Sequence, residues 1–204
     1  MAKTWEEFFI HVQPHVPGCP EITMTTHLRS AAADFCAMSE VWRYAFDTEY
    51  TVDGFAIYEL GVPNDAVIEN ILSLRANQRL LARITDIDHA PQPDTVTGAP
   101  LNYSTYQDHS IRLYPVPDAS YVLTGECVLK PSQTSTGVED FIFETHGRSI
   151  ACGALATLMV TPGKEWTNPE LATYYRLKFS KSMDDAKGRD TQRANRRVRP
   201  IKFA

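Results

Sequence analysis

The chain has 204 residues, 43% of them hydrophobic, and a formal net charge of −5, values typical of a globular protein with an ordinary hydrophobic core. No apolar run approaches the roughly 20 residues that span a bilayer. The opening sequence MAKTWEEFF has acids where a secretory signal needs basic residues. Composition therefore argues against a membrane or secreted protein, and we expect a protein made in the cytoplasm that does not associate with membranes.

The first 45 residues are predicted to form helices. Thr4 can cap a first helix that runs to Val16, with Glu7 completing a capping box. Three prolines between positions 14 and 20 then turn the chain, because proline has no N–H to continue a helix. A broad apolar stripe predicts a second helix from Thr25 to Trp42.

A change of composition at Phe46 marks the start of a β module, which we place at residues 46–130. Within it Asp53-Gly54 stands between two β-rich runs and predicts a hairpin. Alternation of apolar and polar residues indicates that the module is an antiparallel sheet. Further predicted strands are Ala66–Leu74, with a short helix as the alternative, a short strand after a turn within residues 75–83, Leu101–Tyr106, Ser110–Tyr114 and residues 121–129.

The next segment is predicted to form a helical hairpin. Its first helix runs from Val138 to Met159, and small residues from Gly147 to Ala156 allow another backbone to approach closely. A Thr-Pro-Gly sequence ends this helix. Asn168 or Thr167 caps the second helix, which we expect to end near Gly188.

Charge is unevenly distributed along the chain. From Lys187 to Ala204 seven lysines and arginines accompany one aspartate, so this tail has a formal charge of +6 and the remainder has −11. Residues 188–204 also have few apolar side chains before position 198, which predicts an extended, basic C-terminal docking arm. Two other interpretations of the arm stay open: a nucleic-acid-binding patch and a solvated tail without a partner.

Helices at both ends and strands between them predict the α+β class. We expect the helices of residues 1–45 and 131–187 to form one bundle, into which the antiparallel β module of residues 46–130 is inserted. Residues 188–204 then leave the bundle as the arm.

No sequence pattern predicts catalysis, and we expect no catalytic residue, no metal and no cofactor. GxSxG, GxxxxGK[ST], GxGxxG and HExxH sequences do not occur. His11 and His15 have the spacing of a zinc pair but no third ligand nearby. The sequence from Asp86 to His89 lacks the glycine and the further oxygen ligands of a calcium loop. The cysteines at 19, 36, 127 and 152 form no CxxC pair and are expected as free buried thiols.

Five stretches between about Leu28 and Phe179 resemble a known family. They are AAADFCAMSEVWRY, DGFAIYELGVPNDAVI, IRLYPVPD, KPS and GALATLMVTPGKEWTNPELATYYRLKF. In this order they resemble the head-to-tail adaptor, or connector, proteins of tailed bacteriophages, and in particular the adaptors of short-tailed phages. The stretches are structural signatures, so the resemblance bears on fold and role rather than on catalysis.

The resemblance implies a virion structural protein in the neck between capsid portal and tail. About twelve copies would form a ring that binds the portal protein, extends the DNA channel and offers a platform to a downstream tail or nozzle protein. DNA would pass through without specific binding. The arm would dock on the portal, its arginines paired with acids and its apolar side chains filling pockets. The docking residues are then Arg189, Arg193, Arg196, Arg197, Arg199, Ile201 and Phe203.

Two alternatives remain at this point. Another ring of the same neck or tail, such as a stopper or a tail tube component, would have similar sequence features. A small cytosolic α+β enzyme would instead need a deep pocket that holds a histidine or glutamate with a shifted pKa.

Overall fold

The computed structural model describes residues 2–84, 96–106 and 109–197, and it confirms the α+β class. The chain divides into two compact units. The terminal unit comprises the described residues up to Trp42 and from Lys130 onward, and the central unit runs from Arg43 to Leu129. The chain therefore leaves the terminal unit once and returns to it once.

Within the described residues the terminal unit is mainly helical, and the central unit is made of β-strands. In chain order the elements are β1 (Ala2–Thr4), a 3-10 turn (Trp5–Phe8), α1 (Phe9–Val12), a second 3-10 turn (Gln13–His15), α2 (Glu21–Ser39), β2 (Arg43–Ala45), β3 (Glu49–Tyr50), β4 (Ile57–Glu59), β5 (Ala66–Ala76), β6 (Arg79–Leu80), β7 (Ala82–Arg83), β8 (Asn102–Thr105), β9 (Ser110–Tyr114), β10 (Val122–Pro131), β11 (Gly137–Glu139), α3 (Asp140–Leu158) and α4 (Pro169–Arg197).

Helix α3 occupies the interior of the terminal unit and contacts α1, α2 and α4. Its small residues permit this crowding. A Cβ atom added at Gly153 would lie 2.8 Å from the ring of Phe179 on α4 and 3.0 Å from the Cβ of Ala31 on α2. Strands β1 and β11 of the same unit pair antiparallel. Trp5 follows β1 and donates a hydrogen bond from Nε1 to the backbone oxygen of Ser135 at 2.8 Å.

The joint between α3 and α4 is fixed by two polar side chains. Thr167 donates its hydroxyl to the backbone oxygen of Thr161 and accepts a hydrogen bond from the N–H of Lys164 at 3.1 Å. Asn168 accepts a hydrogen bond from the N–H of Leu171 at 3.1 Å through Oδ1. The predicted cap of the second hairpin helix is therefore confirmed as Asn168, because its side chain satisfies a helix N–H that has no backbone partner.

Two helix predictions near the N-terminus are corrected. The first helical segment, predicted from Thr4 to Val16, is divided into one turn of α-helix between two 3-10 turns, and Pro14 lies in the second of these. Helix α2 begins at Glu21, before the predicted start at Thr25, and ends at Ser39 because Glu40 takes a left-handed conformation with φ of 57°.

The predicted end of the last helix is also wrong. Helix α4 passes through Gly188 and continues to Arg197, so residues 189–197 are helical where an extended conformation is predicted. Arginine, glutamine and alanine in this stretch are strong helix formers, and each residue added to an existing helix gains one hydrogen bond. A single glycine does not outweigh these contributions.

The described residues of the central unit form two sheets. One has the strand order β2-β10-β5-β6, with β3 also pairing with β10, and the other has the order β4-β9-β8-β7. Fully buried side chains, among them Leu74, Ile111 and Leu123, form its core. The strands predicted at 66–74, 101–106 and 110–114 are confirmed as β5, β8 and β9.

Two features of the central unit differ from prediction. Asp53 and Gly54 do form a turn, with φ of 78° at Gly54. The strands on either side do not pair with each other, since β3 pairs with β10 and β4 pairs with β9, so the predicted hairpin is wrong. In addition β7 and β8 run parallel, so the module is not wholly antiparallel.

Candidate interaction surfaces

The first part of the predicted docking arm, residues 188–197, forms the C-terminal end of α4. Lys187 donates a hydrogen bond to Glu40 at 3.4 Å, which ties α4 to the residue that follows α2. Both side chains are partly exposed, so this ion pair contributes less than about 1 kcal/mol. Four of the predicted docking residues lie on α4, although the structure does not describe their side chains: Arg189, Arg193, Arg196 and Arg197. The other three lie outside the described residues: Arg199, Ile201 and Phe203.

Helix α4 is attached to the terminal unit along a narrow face. Among its described side chains only Ala172 and Ala186 are buried. Leu171, Tyr174 and Leu177 are 43%, 56% and 68% exposed, and they follow one another at a spacing of three residues. Large apolar side chains that share one exposed region of a helix indicate a surface that another molecule covers.

A cleft with a volume of about 340 Å³ opens where α1 and the turn after it meet α3 and α4, and we call it the basic cleft. Its apolar lining includes Ile10, which is 71% exposed, and Tyr174. The hydroxyl of Tyr175 lies 3.4 Å from Nδ1 of His15. Lys178 reaches over the ring of Tyr174, with 6.0 Å between Nζ and the ring centroid. The cleft therefore combines aromatic surface with nitrogen donors.

The electrostatic character of the basic cleft is positive. Arg148 and Lys178 line it together with two histidines, and no aspartate or glutamate is among its lining residues. Burial, together with the charge of Arg148, lowers the pKa of His11. Burial raises the pKa of Cys152, and burial likewise raises the pKa of Tyr175, so both are neutral at neutral pH. The two fixed positive charges are consequently not compensated inside the cleft.

A second exposed surface lies on the central unit, at residues 50–55, which we call the apolar loop. Tyr50, Val52 and Phe55 are 61%, 55% and 63% exposed. The loop is nevertheless held in one conformation by Tyr58, whose hydroxyl accepts a hydrogen bond from the N–H of Val52 at 3.0 Å and lies 2.8 Å from the backbone oxygen of Phe55. Three large apolar side chains are thus presented to solvent by a well-anchored turn.

The described residues contain no group of three or more histidine, cysteine, aspartate or glutamate side chains placed to hold a metal ion. The sequence from Asp86 to His89 lies outside the described residues. None of the described helices is both long enough and apolar enough to cross a membrane. The four cysteines are free and buried, and burial raises the pKa of Cys36 to about 12 and, with the nearby charge of Glu126, that of Cys127 to about 11.

Sequence reasoning identifies only part of these surfaces. The spacing of His11 and His15 is visible in the sequence, but their placement beside Arg148 and Lys178 depends on how the helices pack. The repeated apolar residues at 171, 174 and 177 are the available sequence signal for the exposed face of α4.

Comparison of the chain with protein-family models finds no match, and comparison with the sequences of curated proteins finds none either.

Proposed function

We propose that this chain is a virion structural protein: a head-to-tail adaptor that forms a ring of about twelve copies in the neck of a tailed bacteriophage. The ring binds the portal protein, extends the DNA channel and gives a platform for the downstream tail protein. In this proposal the helices of the terminal unit form the bundle of the ring subunit, and the sequence after Lys187 is the segment that docks on the portal.

The observation that carries the proposal is the partial attachment of α4. Over its described side chains α4 buries two alanines and exposes Leu171, Tyr174 and Leu177, so it has more apolar surface than its own unit covers. A ring subunit needs such surface, because it must contact two neighbours through two different faces. The sequence resemblance to phage adaptors, which extends from about Leu28 to Phe179, supports the same role.

The charge distribution supports the channel function. Outside the tail the chain has a formal charge of −11. A negatively charged wall repels the phosphate backbone of DNA and lets the duplex slide, whereas a basic wall would retain it. The basic end of the chain is then available for an acidic surface on the portal.

Deletion of Arg189–Ala204 tests the docking function. We expect the truncated chain to fold, because the described side chains up to Lys187 retain their contacts, and to lose binding to the portal protein. The measurement is binding of purified chain to purified portal, with circular dichroism as the control for folding. A full-length variant with Arg193→Glu and Arg196→Glu changes the charge of the arm without shortening the chain, and it should also lose binding to the portal protein.

Unchanged portal affinity of the truncated chain would exclude the arm as the docking element. Binding of the full-length chain only to other tail rings, with no contact to the portal, would identify it as a stopper or a tail tube component instead.

A further inference from the structure

We propose that the basic cleft receives the apolar loop of a second copy of this chain, so that neighbouring subunits are joined head to tail. The inference rests on the proposed ring function and names the two surfaces that meet in it. It follows from three properties of the described residues: the charge of the cleft, the charge of the loop and the rigidity of the loop.

On the cleft side, no described carboxylate forms an ion pair with either of the two positive charges. Neither Arg148 nor Lys178 forms an ion pair within the described residues. Glu144 stands one helical turn before Arg148 and lines the adjacent depression, but its carboxylate is not within ion-pair distance of Arg148. Burial lowers the pKa of His11, and the charge of Arg148 lowers it further. An occupant of the cleft must therefore supply negative charge together with apolar surface.

The loop side supplies both. The sequence from Phe46 to Leu60 contains four acids and no lysine, arginine or histidine. Asp53 lies at the tip of the apolar loop between Val52 and Phe55, is exposed, and forms no ion pair within the described residues. A carboxylate flanked by two large apolar side chains matches a cleft that has two cations beside tyrosine rings.

The loop is also suited to insertion because it is already ordered. Gly54 donates its N–H to the backbone oxygen of Pro117 at 2.9 Å, and Thr51, which is buried, donates its N–H to that of Tyr121 at 2.9 Å. Together with the hydroxyl of Tyr58 these bonds fix the tip on the central unit. A segment held in its bound conformation loses less entropy on binding, which raises affinity.

The two surfaces differ from each other, as the contact between neighbouring subunits of a ring requires. The cleft belongs to the terminal unit and the loop to the central unit, so the contact joins two different patches of the same chain. A contact between two different patches is heterologous and repeats from copy to copy until the rotation closes.

A charge exchange between the two surfaces tests the inference on the full-length chain. Lys178→Glu places an acid opposite Asp53, and Asp53→Lys places two bases together, so each variant alone should lose at least about tenfold in ring assembly affinity. A mixture of the two variants should recover assembly, because every contact between unlike copies then pairs one acid with one base. Lys181→Glu, an exposed change of the same sign on α4 outside the cleft, is the matched control and should assemble normally.

Assembly is measured as the mass of the particles formed by each chain alone and on the portal protein. Normal rings of wild type, Lys178→Glu and Asp53→Lys would overturn the inference and leave the adaptor function intact. Loss of portal binding by Lys178→Glu with no effect of Asp53→Lys would show that another chain fills the cleft. Salt-sensitive binding of duplex DNA that is lost in Lys178→Glu would identify a phosphate site instead. A wild-type chain that stays monomeric under all conditions would contradict both proposals.

Discussion

Helices α3 and α4 are joined by one short connection and pack on each other, but their surroundings differ. Helix α3 buries ten of its nineteen residues and has contacts on several sides. Helix α4, over its described side chains, buries two alanines and half-buries residues such as Tyr175 and Phe179. The difference follows from sequence, because α3 is apolar or small around most of its circumference, whereas α4 alternates apolar residues with lysine and arginine.

The contrast indicates that α3 contributes mainly to the stability of the terminal unit and that the exposed face of α4 contributes mainly to interaction with other molecules. Substitutions in α3 should act on folding of the terminal unit, while substitutions on the outer face of α4 should leave folding intact and act on assembly. The proposed function places its docking and contact residues on and after α4 for this reason.

The largest effect is expected from a matched pair of leucine substitutions. Leu155 of α3 is buried, and Leu155→Ala should lower the free energy of unfolding by about 2–5 kcal/mol through lost burial and the cavity left behind. Leu177 of α4 is 68% exposed, and Leu177→Ala should change it by less than about 0.5 kcal/mol. Urea denaturation monitored by circular dichroism gives both values. Equal losses in the two variants would contradict the contrast between the helices.

Two helical glycines provide a test of intermediate size. Gly153 lies between Phe179 and Ala31, so Gly153→Val should overpack the contact of α3 with α2 and α4 and cost about 1–3 kcal/mol. Gly188 lies within α4 with no atom within 4 Å of an added Cβ, so Gly188→Ala should stabilise the helix by about 0.5–1 kcal/mol. Thermal unfolding of both variants measures these changes, with a lower Tm expected for Gly153→Val and a higher Tm for Gly188→Ala. A stabilising Gly153→Val would mean that the helices are not packed closely at this point.

The joint of the hairpin could be predicted because its signals are local. Asn168, Pro169 and the Thr-Pro-Gly sequence before them act within a few residues of their own position. The end of α4 could not be predicted in the same way, since Gly188 is only a weak stop signal when good helix formers follow it. The turn at Gly54 was likewise visible, but the partners of β3 and β4 lie far along the chain, at β10 and β9.

The candidate surfaces were less predictable than the elements that carry them. The basic cleft takes residues from near the N-terminus, from α3 and from α4, and sequence spacing connects only His11 with His15. Among the described residues Asp53 forms no ion pair, and this too is a property of the folded chain that the local sequence does not reveal. By contrast, the excess of acids between Phe46 and Leu60 could be read directly from the sequence.

The smallest expected effect concerns the contact between α2 and α3. His27 of α2 lies with Nδ1 2.8 Å from the hydroxyl of Thr157 on α3, and burial lowers its pKa. The native state therefore binds fewer protons at this position than the unfolded chain does near the ordinary histidine pKa of about 6.5. Stability should fall as pH drops through that value towards the lower pKa of the folded state. His27→Gln removes the titrating group and should make the free energy of unfolding less dependent on pH.

The measurement is urea denaturation of wild type and His27→Gln at about pH 7.5 and about pH 5.5, on either side of the ordinary histidine pKa. His11, whose pKa is lowered as well, contributes a loss of the same sign in both chains. Burial raises the pKa of Asp34 on α2, so its contribution has the opposite sign and favours the native state as pH falls. Both groups are present in the two chains and cancel from the difference. An identical pH dependence in wild type and variant would show that His27 is not desolvated by its packing between α2 and α3.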